Sequence, residues 1–538
     1  MAKFNQSPVH NSQDITVNNS GHKAFVMTDK DKLMSAVLSS FFAEPKYYGD
    51  TSTIITTLAK KVCATDSQFV ANLAVYARNE FNLRSVSHIL AAIVSGHAKE
   101  HTRYVLKNII QRPDDILEIM SAYQSINQNS AKRIKDKGNG RQYKIIPFPN
   151  ALKREIATQI QKFNEHQLAK YNHPRTQSLK FKDVLKIVHP TPINQEVADL
   201  LGKLIKDELA TPYTWETELS TKGNTKEVWN ELIQPNKIGY MALLRNLRNM
   251  IRVGADIQPV LDRIADSSQV KKSKQLPFRF LSAYQSIADY CNNTFPGLNT
   301  SREILSRVGL PLEKALRVSV DNLPKIKGRT MIAIDRSGSM DSPLSANSEV
   351  TYYQVAKLLG LLSSLICEES TVMYFTSVDR WSTFEPDEFD KHGYKIQNFS
   401  PSASILEAVY DDRANGGTDM SLPFKYILHE KTPIRPFDRI IIFSDNETNS
   451  STDLIQGYAD MYREKYNKDF FVHAIDMAGY GTQQFRGPKF NLIAGWSDKV
   501  LQFINLAEEG ISSLIKTIDN YHTTLTQSSP IITDSEQD

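Results

Sequence analysis

From Asp29 to about Leu305 apolar residues return every three or four positions in short runs broken by Asp, Asn, Gly or Pro, the period of amphipathic helices. The runs predict helices at Lys32–Phe42, Ser52–Cys63, Asp66–Asn79, Ser85–His97, His101–Gln111 and Asp114–Ser125. After a basic, glycine-bearing loop at Ala131–Tyr143, further helices are expected at Asn150–Phe163, Gln167–Tyr171, Lys182–Val188, Gln195–Leu209, Lys226–Ile233, Tyr240–Val253, Ile257–Ala265, Phe278–Cys291 and Ser301–Leu305. Consecutive helices with short turns argue for an α-solenoid of helix pairs. At Thr330 the pattern changes. Short β-branched runs such as Thr330–Ile334, Thr371–Phe375, Arg439–Phe443 and Asp469–Ile475 alternate with helical stretches such as Tyr352–Cys367, Leu422–His429 and Leu454–Lys465, which implies a doubly wound, mainly parallel α/β sheet. The expected organisation is a polar tail over residues 1–21, a helical module over 22–327, a sheet domain with a closing C-terminal helix over 328–525 and a polar tail over 526–538, with Pro311–Lys327 as the bridge into the sheet.

Composition changes this picture little. The 538 residues allow about three domain-sized units, and 41% hydrophobic with 23% charged residues are ordinary values for a globular chain. No apolar run is long enough to span a bilayer, and the polar amino terminus has no signal core, so a cytoplasmic location without membrane contact is expected. Cys63, Cys291 and Cys367 are scattered and odd in number, which fits a reducing compartment. The net charge of +4 conceals an asymmetry, with Lys and Arg crowding the first part and Asp and Glu the last. That points either to a polyanion partner for the first part or to a solvated helical surface.

Candidate chemistry sits where strand runs end. In Thr330–Met340, TMIAIDRSGSM, the run stops at Asp335 and is followed by Ser337 and Ser339; Arg413–Pro423 sets Thr418 behind a glycine pair; Arg439–Phe443 ends in Ser444, Asp445, Asn446 and Glu447. Asp-x-Ser alone also caps helices. Hard oxygen donors at strand ends suit magnesium or manganese. The constellation resembles a von Willebrand A domain, whose metal-ion-dependent adhesion site has the form D-x-S-x-S, then T, then D; Asp335, Ser337, Ser339, Thr418 and Asp445 match all five positions. The resemblance implies that the hydroxyls coordinate the ion directly or nearly so, with the aspartates acting partly through water.

Helical array and A domain together resemble the Ro autoantigen family, whose helical part is the TROVE module. The shared residues are Val75-Tyr76-Ala77-Arg78, Leu83-Arg84-Ser85-Val86, Asp183–His189 and Met241–Leu247, with Asp335–Met340 and Ser444–Thr448 in the second domain. The resemblance implies a HEAT-like ring with a central hole, Y RNA on an outer basic surface, and the single-stranded end of misfolded RNA in the hole. It further implies RNA quality control or decay, with an exoribonuclease tethered through RNA.

Two basic groups are candidates for RNA contact. Lys170, Arg175, Lys180, Lys182, Lys186 and His189 gather around a proline-bounded loop and a short helix; of these, Lys170, Arg175 and His189 match the family's outer-surface contacts in order, although the loop after Tyr171 differs in length and composition. Arg245, Arg248 and Arg252 fall on one helical face, with Leu244, Leu247 and Ile251 on another, and would attract a single strand without reading its sequence. Lys132, Arg133, Lys135, Lys137 and Arg141 would extend the basic surface. Helix capping and solvation compete as the explanation of the first group, and a solvated helix face with acidic neighbours as that of the second.

No catalytic constellation is present: no nucleophile motif surrounds Ser337 or Ser339, and two aspartates are too few for two-metal nuclease chemistry. So few negative ligands leave a cation electrophilic, suited to an acidic protein ligand. A monomeric RNA-binding ring protein is therefore expected, the competing reading being a metal-dependent protein-interaction adaptor.

Overall fold

The computed structural model describes residues 15–17, 23–26, 28–38, 50–128, 132–135, 142–172, 179–234, 238–275, 277–320, 325–343, 350–377, 393–397, 403–410, 414–429, 435–478, 482–487, 489–494, 501, 504–505, 508 and 514–522. Arg175, Lys137, Arg141 and nearly all of both expected tails lie outside them. By contact density the chain forms two compact units, one of residues 42–221 and 516–537, the other of residues 1–41 and 222–515. This partition differs from division at residue 327. Residues 15–38, as β1 (Ile15–Val17), β2 (Lys23–Val26) and α1 (Asp29–Leu38), fall in the unit that holds the large sheet, where β2 also pairs with Thr482–Gln483.

The smaller unit is helical, with α2 (Asp50–Thr65), α3 (Ser67–Asn79), α4 (Arg84–His97), α5 (Thr102–Ile109), α6 (Pro113–Ile126), α7 (Asn150–Gln159), α8 (Glu165–Tyr171), α9 (Phe181–Val188) and α10 (Gln195–Lys206). Capping residues set its boundaries: the Asp66 carboxylate accepts from Phe69 N at 3.0 Å and starts α3. The Val75–Val86 segment is an internal fastening. Asp115, fully buried, accepts from Arg84 at 2.5 Å and lies 3.0 Å from His88 Nε2 and 3.7 Å from the buried Arg78 guanidinium. Although burial opposes it, the His88 hydrogen bond with the Arg84 and Arg78 charges holds Asp115 well below the usual carboxylate range. The chain's last described segment belongs here too, since Tyr521 packs edge-on against Tyr76 at 5.1 Å and donates to Glu80.

Two local expectations need correction. The Ala131–Tyr143 loop contains an antiparallel hairpin, β3 (Lys132–Lys135) with β4 (Gln142–Ile145), paired Ile134 to Tyr143. Its turn signal, the glycines and asparagine between the two runs, lay inside a stretch read for charge rather than for period.

The larger unit continues through α11 (Trp215–Lys222), which spans the boundary in the chain, α12 (Lys226–Ile233), α13 (Tyr240–Arg252), α14 (Gln258–Ile264), α15 (Ser267–Ser273), α16 (Phe278–Thr294) and α17 (Asn299–Val318). The second correction is α17, which runs through Pro311 instead of ending near Leu305. A proline inside a helix costs about 3 kcal/mol; burial of Val308, Leu312, Ala315 and Leu316 along one face keeps the helix intact.

The sheet is the expected α/β layer. Its order is β11-β9-β8-β5-β6-β7, with β5 (Ile326–Asp335), β6 (Cys367–Phe375), β7 (Tyr394–Gln397), β8 (Arg439–Ser444), β9 (Phe471–Asp476) and β11 (Phe490–Ala494), while β10 (Thr482–Gln483) pairs with β2. All neighbours are parallel except β7 on β6. The central strands are buried along most or all of their length, which explains their unbroken apolar runs. α18 (Tyr352–Ile366) makes the crossover from β5 to β6, and Phe375, Phe424, Phe437, Ile440 and Val472 fill one core. Among the described residues no helix is long and apolar enough to cross a membrane.

Candidate metal centre and nucleic-acid interface

Parallel strands bring Asp335 and Asp445 to the same end of the sheet, one at the last position of β5 and one just past β8. Between them runs the loop carrying Thr418. It turns at Gly416, whose φ is +89°, and a Cβ there would stand 2.5 Å from Thr376 Oγ1; a Cβ at Gly417 would stand 2.2 Å from Ser377 Oγ. That close approach lets Gly338 N donate to Gly416 O at 2.8 Å, joining the Ser337–Ser339 loop to the Thr418 loop. Asn449 N donates to Thr418 O at 2.8 Å, joining the Thr418 loop to the one that follows β8.

The donors are specific in arrangement. Ser337 N donates to Asp335 Oδ1 at 2.9 Å, Ser444 Oγ donates to Asp335 Oδ2 at 2.6 Å, and the Ser337 and Ser339 hydroxyls lie 3.2 Å apart. Glu447 N donates to Asp445 Oδ1 at 3.1 Å, while Asp445 Oδ2 is buried and has no hydrogen-bond partner among the described residues. Asp335, Ser337, Thr418 and Asp445 are buried and Ser339 is exposed, so the cluster faces outward through one hydroxyl. Burial, and then Asp445, pushes the Asp335 carboxyl up to about 7; burial also raises Asp445.

Two buried carboxylates stand with the Ser337 and Ser339 hydroxyls and the loop carrying Thr418, and this all-oxygen donor set fits a hard divalent cation. None of the five side chains is a His or Cys, so the set offers no nitrogen or sulfur donor to a softer ion.

In the helical unit α9 starts with a one-way cap, Lys180 N donating to Asp183 Oδ2 at 3.1 Å. It buries Phe181, Val184, Leu185 and Val188, which leaves Lys180 and Lys186 exposed. His189 ends the helix in the left-handed region at φ 47°, its N–H on Leu185 O and its side chain exposed. Lys170 is half-buried at the end of α8, beside Tyr171, over whose ring Arg112 lies at 4.7 Å. Lys182 is less free than its sequence neighbours, because it pairs with Asp207 at 2.5 Å. That bond, with smaller help from Lys180 and Lys186, lowers the Asp207 carboxyl.

In the other unit α13 buries Leu243, Leu244, Leu247 and Met250 and exposes Arg245, Arg248 and Arg252, as the arginine spacing predicts, while Ile251, expected on the apolar face, is half-buried. Sequence reasoning missed Arg279. It stands at the start of α16, in a Pro-Phe-Arg-Phe-Leu run that reads as core, yet it lines one recess with Arg245 and Arg248.

Comparison with known proteins agrees with this organisation. The TROVE domain model matches residues 15–207 and 189–297, and the Ro60 vWA domain model matches residues 329–505. Telomerase protein component 1 of Rattus norvegicus is 22% identical over 651 aligned residues, covering 92% of this chain. RNA-binding protein RO60 of Deinococcus radiodurans is 27% identical over 232 residues, covering 41% of this chain. The chain spans 24% of the length of the first relative and 39% of the second. The crystal structure of the Deinococcus radiodurans RO (RSR) protein superposes with a TM-score of 0.57 at 15% identity, covering 90% of this chain and all of that one, and shows the same fold. With its helical module and its sheet domain both matched, the chain belongs to the TROVE family in its Ro form.

Proposed function

We propose that this chain is an RNA-binding protein of the Ro type. It would hold a structured Y RNA through Lys170, Lys180, Lys182, Lys186 and His189, with Arg175, which lies outside the described residues, as a further candidate, and the single-stranded ends of misfolded RNA along Arg245, Arg248 and Arg252, in RNA quality control or decay. The observation that carries the reading is the division of α13 into an apolar face that is buried and an arginine face that is exposed. An exposed row of guanidinium groups favours a polyanion, and arginine makes forked contacts with phosphate. The relative named as an RNA-binding protein supports the same class. Sequencing the RNA that copurifies with the full chain tests it: enrichment of small structured RNAs with single-stranded 3′ ends is expected, and recovery of RNA in proportion to total cellular RNA contradicts it.

At the other site the proposal is Mg2+, or Mn2+ in its place, held by Asp335, Ser337, Ser339, Thr418 and Asp445. The ion would supply an electrophilic centre for a carboxylate of an acidic protein partner. The chain's own residues set its position, with Ser444 and the Ser337 amide orienting the Asp335 oxygens. The orphaned Asp445 Oδ2 favours this second, compatible role. An exoribonuclease tethered through the RNA belongs to the same reading.

A further inference from the structure

Helices α13 and α16 pack side by side and leave between them a recess of about 190 Å³. Each helix contributes a stripe at helical spacing, Arg245 and Arg248 from α13, Arg279, Ser282 and Ser286 from α16. Its remaining lining is apolar: Met241, Leu244 and Ala283. None of the described residues that line it is acidic. Burial, and then Arg245 beside it, brings the Arg279 guanidinium down to about 10, so it stays charged at neutral pH while crowded by a like charge. Positive charge thus converges on a small space from two helices. An anion relieves that crowding.

The lining also limits which anion fits. A bare phosphate would use the guanidinium groups and leave the apolar part of the recess unmatched. None of the lining residues is aromatic, so a base has only the guanidinium planes to stack on, and each plane used that way is taken from the phosphate. A sugar joined to a phosphate matches both parts, with the phosphate toward the guanidinium groups and the ribose against Met241, Leu244 and Ala283. Two serine hydroxyls one helical turn apart, which can each donate and accept, then stand beside the sugar. The ribose 2′-hydroxyl is the group by which a protein tells RNA from DNA.

We propose that this recess holds one sugar-phosphate unit of a single strand, gripped by Arg245, Arg248 and Arg279, and that Ser282 and Ser286 select RNA over DNA through the 2′-hydroxyl. The proposal rests on the RNA-binding reading and deepens it. It assigns Arg279, Ser282 and Ser286 roles that neither charge pattern nor the α13 spacing indicates.

The test is fluorescence anisotropy with the full chain, a labelled ten-nucleotide uridine RNA and the 2′-deoxy strand of the same sequence. The intact chain should prefer the RNA by about five- to tenfold, the value of one or two hydrogen bonds. Ser282→Ala with Ser286→Ala should bring RNA affinity down to the DNA level and leave DNA affinity unchanged. Arg279→Ala should weaken both strands by about tenfold and flatten the salt dependence by about 0.7 in log–log slope. Because Arg279 is half-buried, the exposed Arg248→Gln provides a second variant, with the same expected loss on both strands. An RNA-to-DNA ratio unchanged by the serine pair overturns the selection, and unchanged affinity in both arginine variants overturns the site, while the Ro-type reading stands in either case. Failure of the intact chain to bind either strand or a structured RNA overturns that reading and this proposal together.

Discussion

Ser444 Oγ donates a 2.6 Å hydrogen bond to Asp335 Oδ2, tying the ends of two neighbouring parallel strands. The bond fixes one carboxylate oxygen of Asp335, the residue at the end of β5 around which the metal proposal is built. Above pH 7, where Asp335 is ionised, Ser444→Ala should lower stability by about 1.5 to 3 kcal/mol, the range for a hydrogen bond to a charged group, and weaken Mg2+ binding. Calorimetric titration with Mg2+ and thermal unfolding read the two effects separately.

The same carboxylates make the metal-free protein pH-sensitive. Asp335 is raised to about 7 in the folded state, against about 3.9 in an unfolded chain, and Asp445 is raised as well. Between those values the folded state binds more protons, so its stability falls as pH rises from about 4 to 7. In chelator the sheet domain should melt at a lower temperature at pH 8 than at pH 5. Added Mg2+ should raise the melting temperature more at pH 8, because the cation takes the place of the proton.

Asp115 should behave in the opposite sense. Its folded carboxyl is held below the usual range, so its contribution is present above about pH 4 and is lost as pH falls through the folded value. Asp115→Asn leaves the buried Arg78 facing an uncharged group and takes from Arg84 one of its two carboxylate partners, Asp114 remaining at 2.9 Å. The helical unit should lose about 3 kcal/mol, as for a broken buried ion pair, and much of its acid sensitivity, measured by urea unfolding at pH 7 and pH 3.

The lysines around α9 should not be equivalent. Lys180 and Lys186 are exposed, whereas Lys182 is paired with Asp207. Lys180→Ala and Lys186→Ala should each flatten the salt dependence of binding to structured RNA by about 1 in log–log slope. Lys182→Ala should do so less, since its charge is already neutralised in the free protein.

What the sequence revealed and concealed follows from how local each signal is. That the loops carrying Asp335, Ser337, Ser339, Thr418 and Asp445 meet at one end of the sheet is legible in the sequence, because each follows a strand run or a glycine turn and a parallel sheet puts the ends of such strands together. The faces of α13 were legible from period alone. The pairing of Lys182 with Asp207 was not, because it joins residues 25 apart across two helices. Arg279 was hidden because two phenylalanines flank it, and only packing of α16 on α13 places it opposite Arg245. The continuation of α17 through Pro311 depends on tertiary burial that outweighs a local propensity.

The most direct measurement is filter binding of a structured RNA with a single-stranded 3′ end to the full chain across a salt series. The account predicts that log affinity falls steeply and linearly with log salt, and that Lys170→Ala with His189→Ala weakens binding at every salt concentration. Affinity that does not change with salt, together with a double variant that binds as the intact chain does, would contradict it.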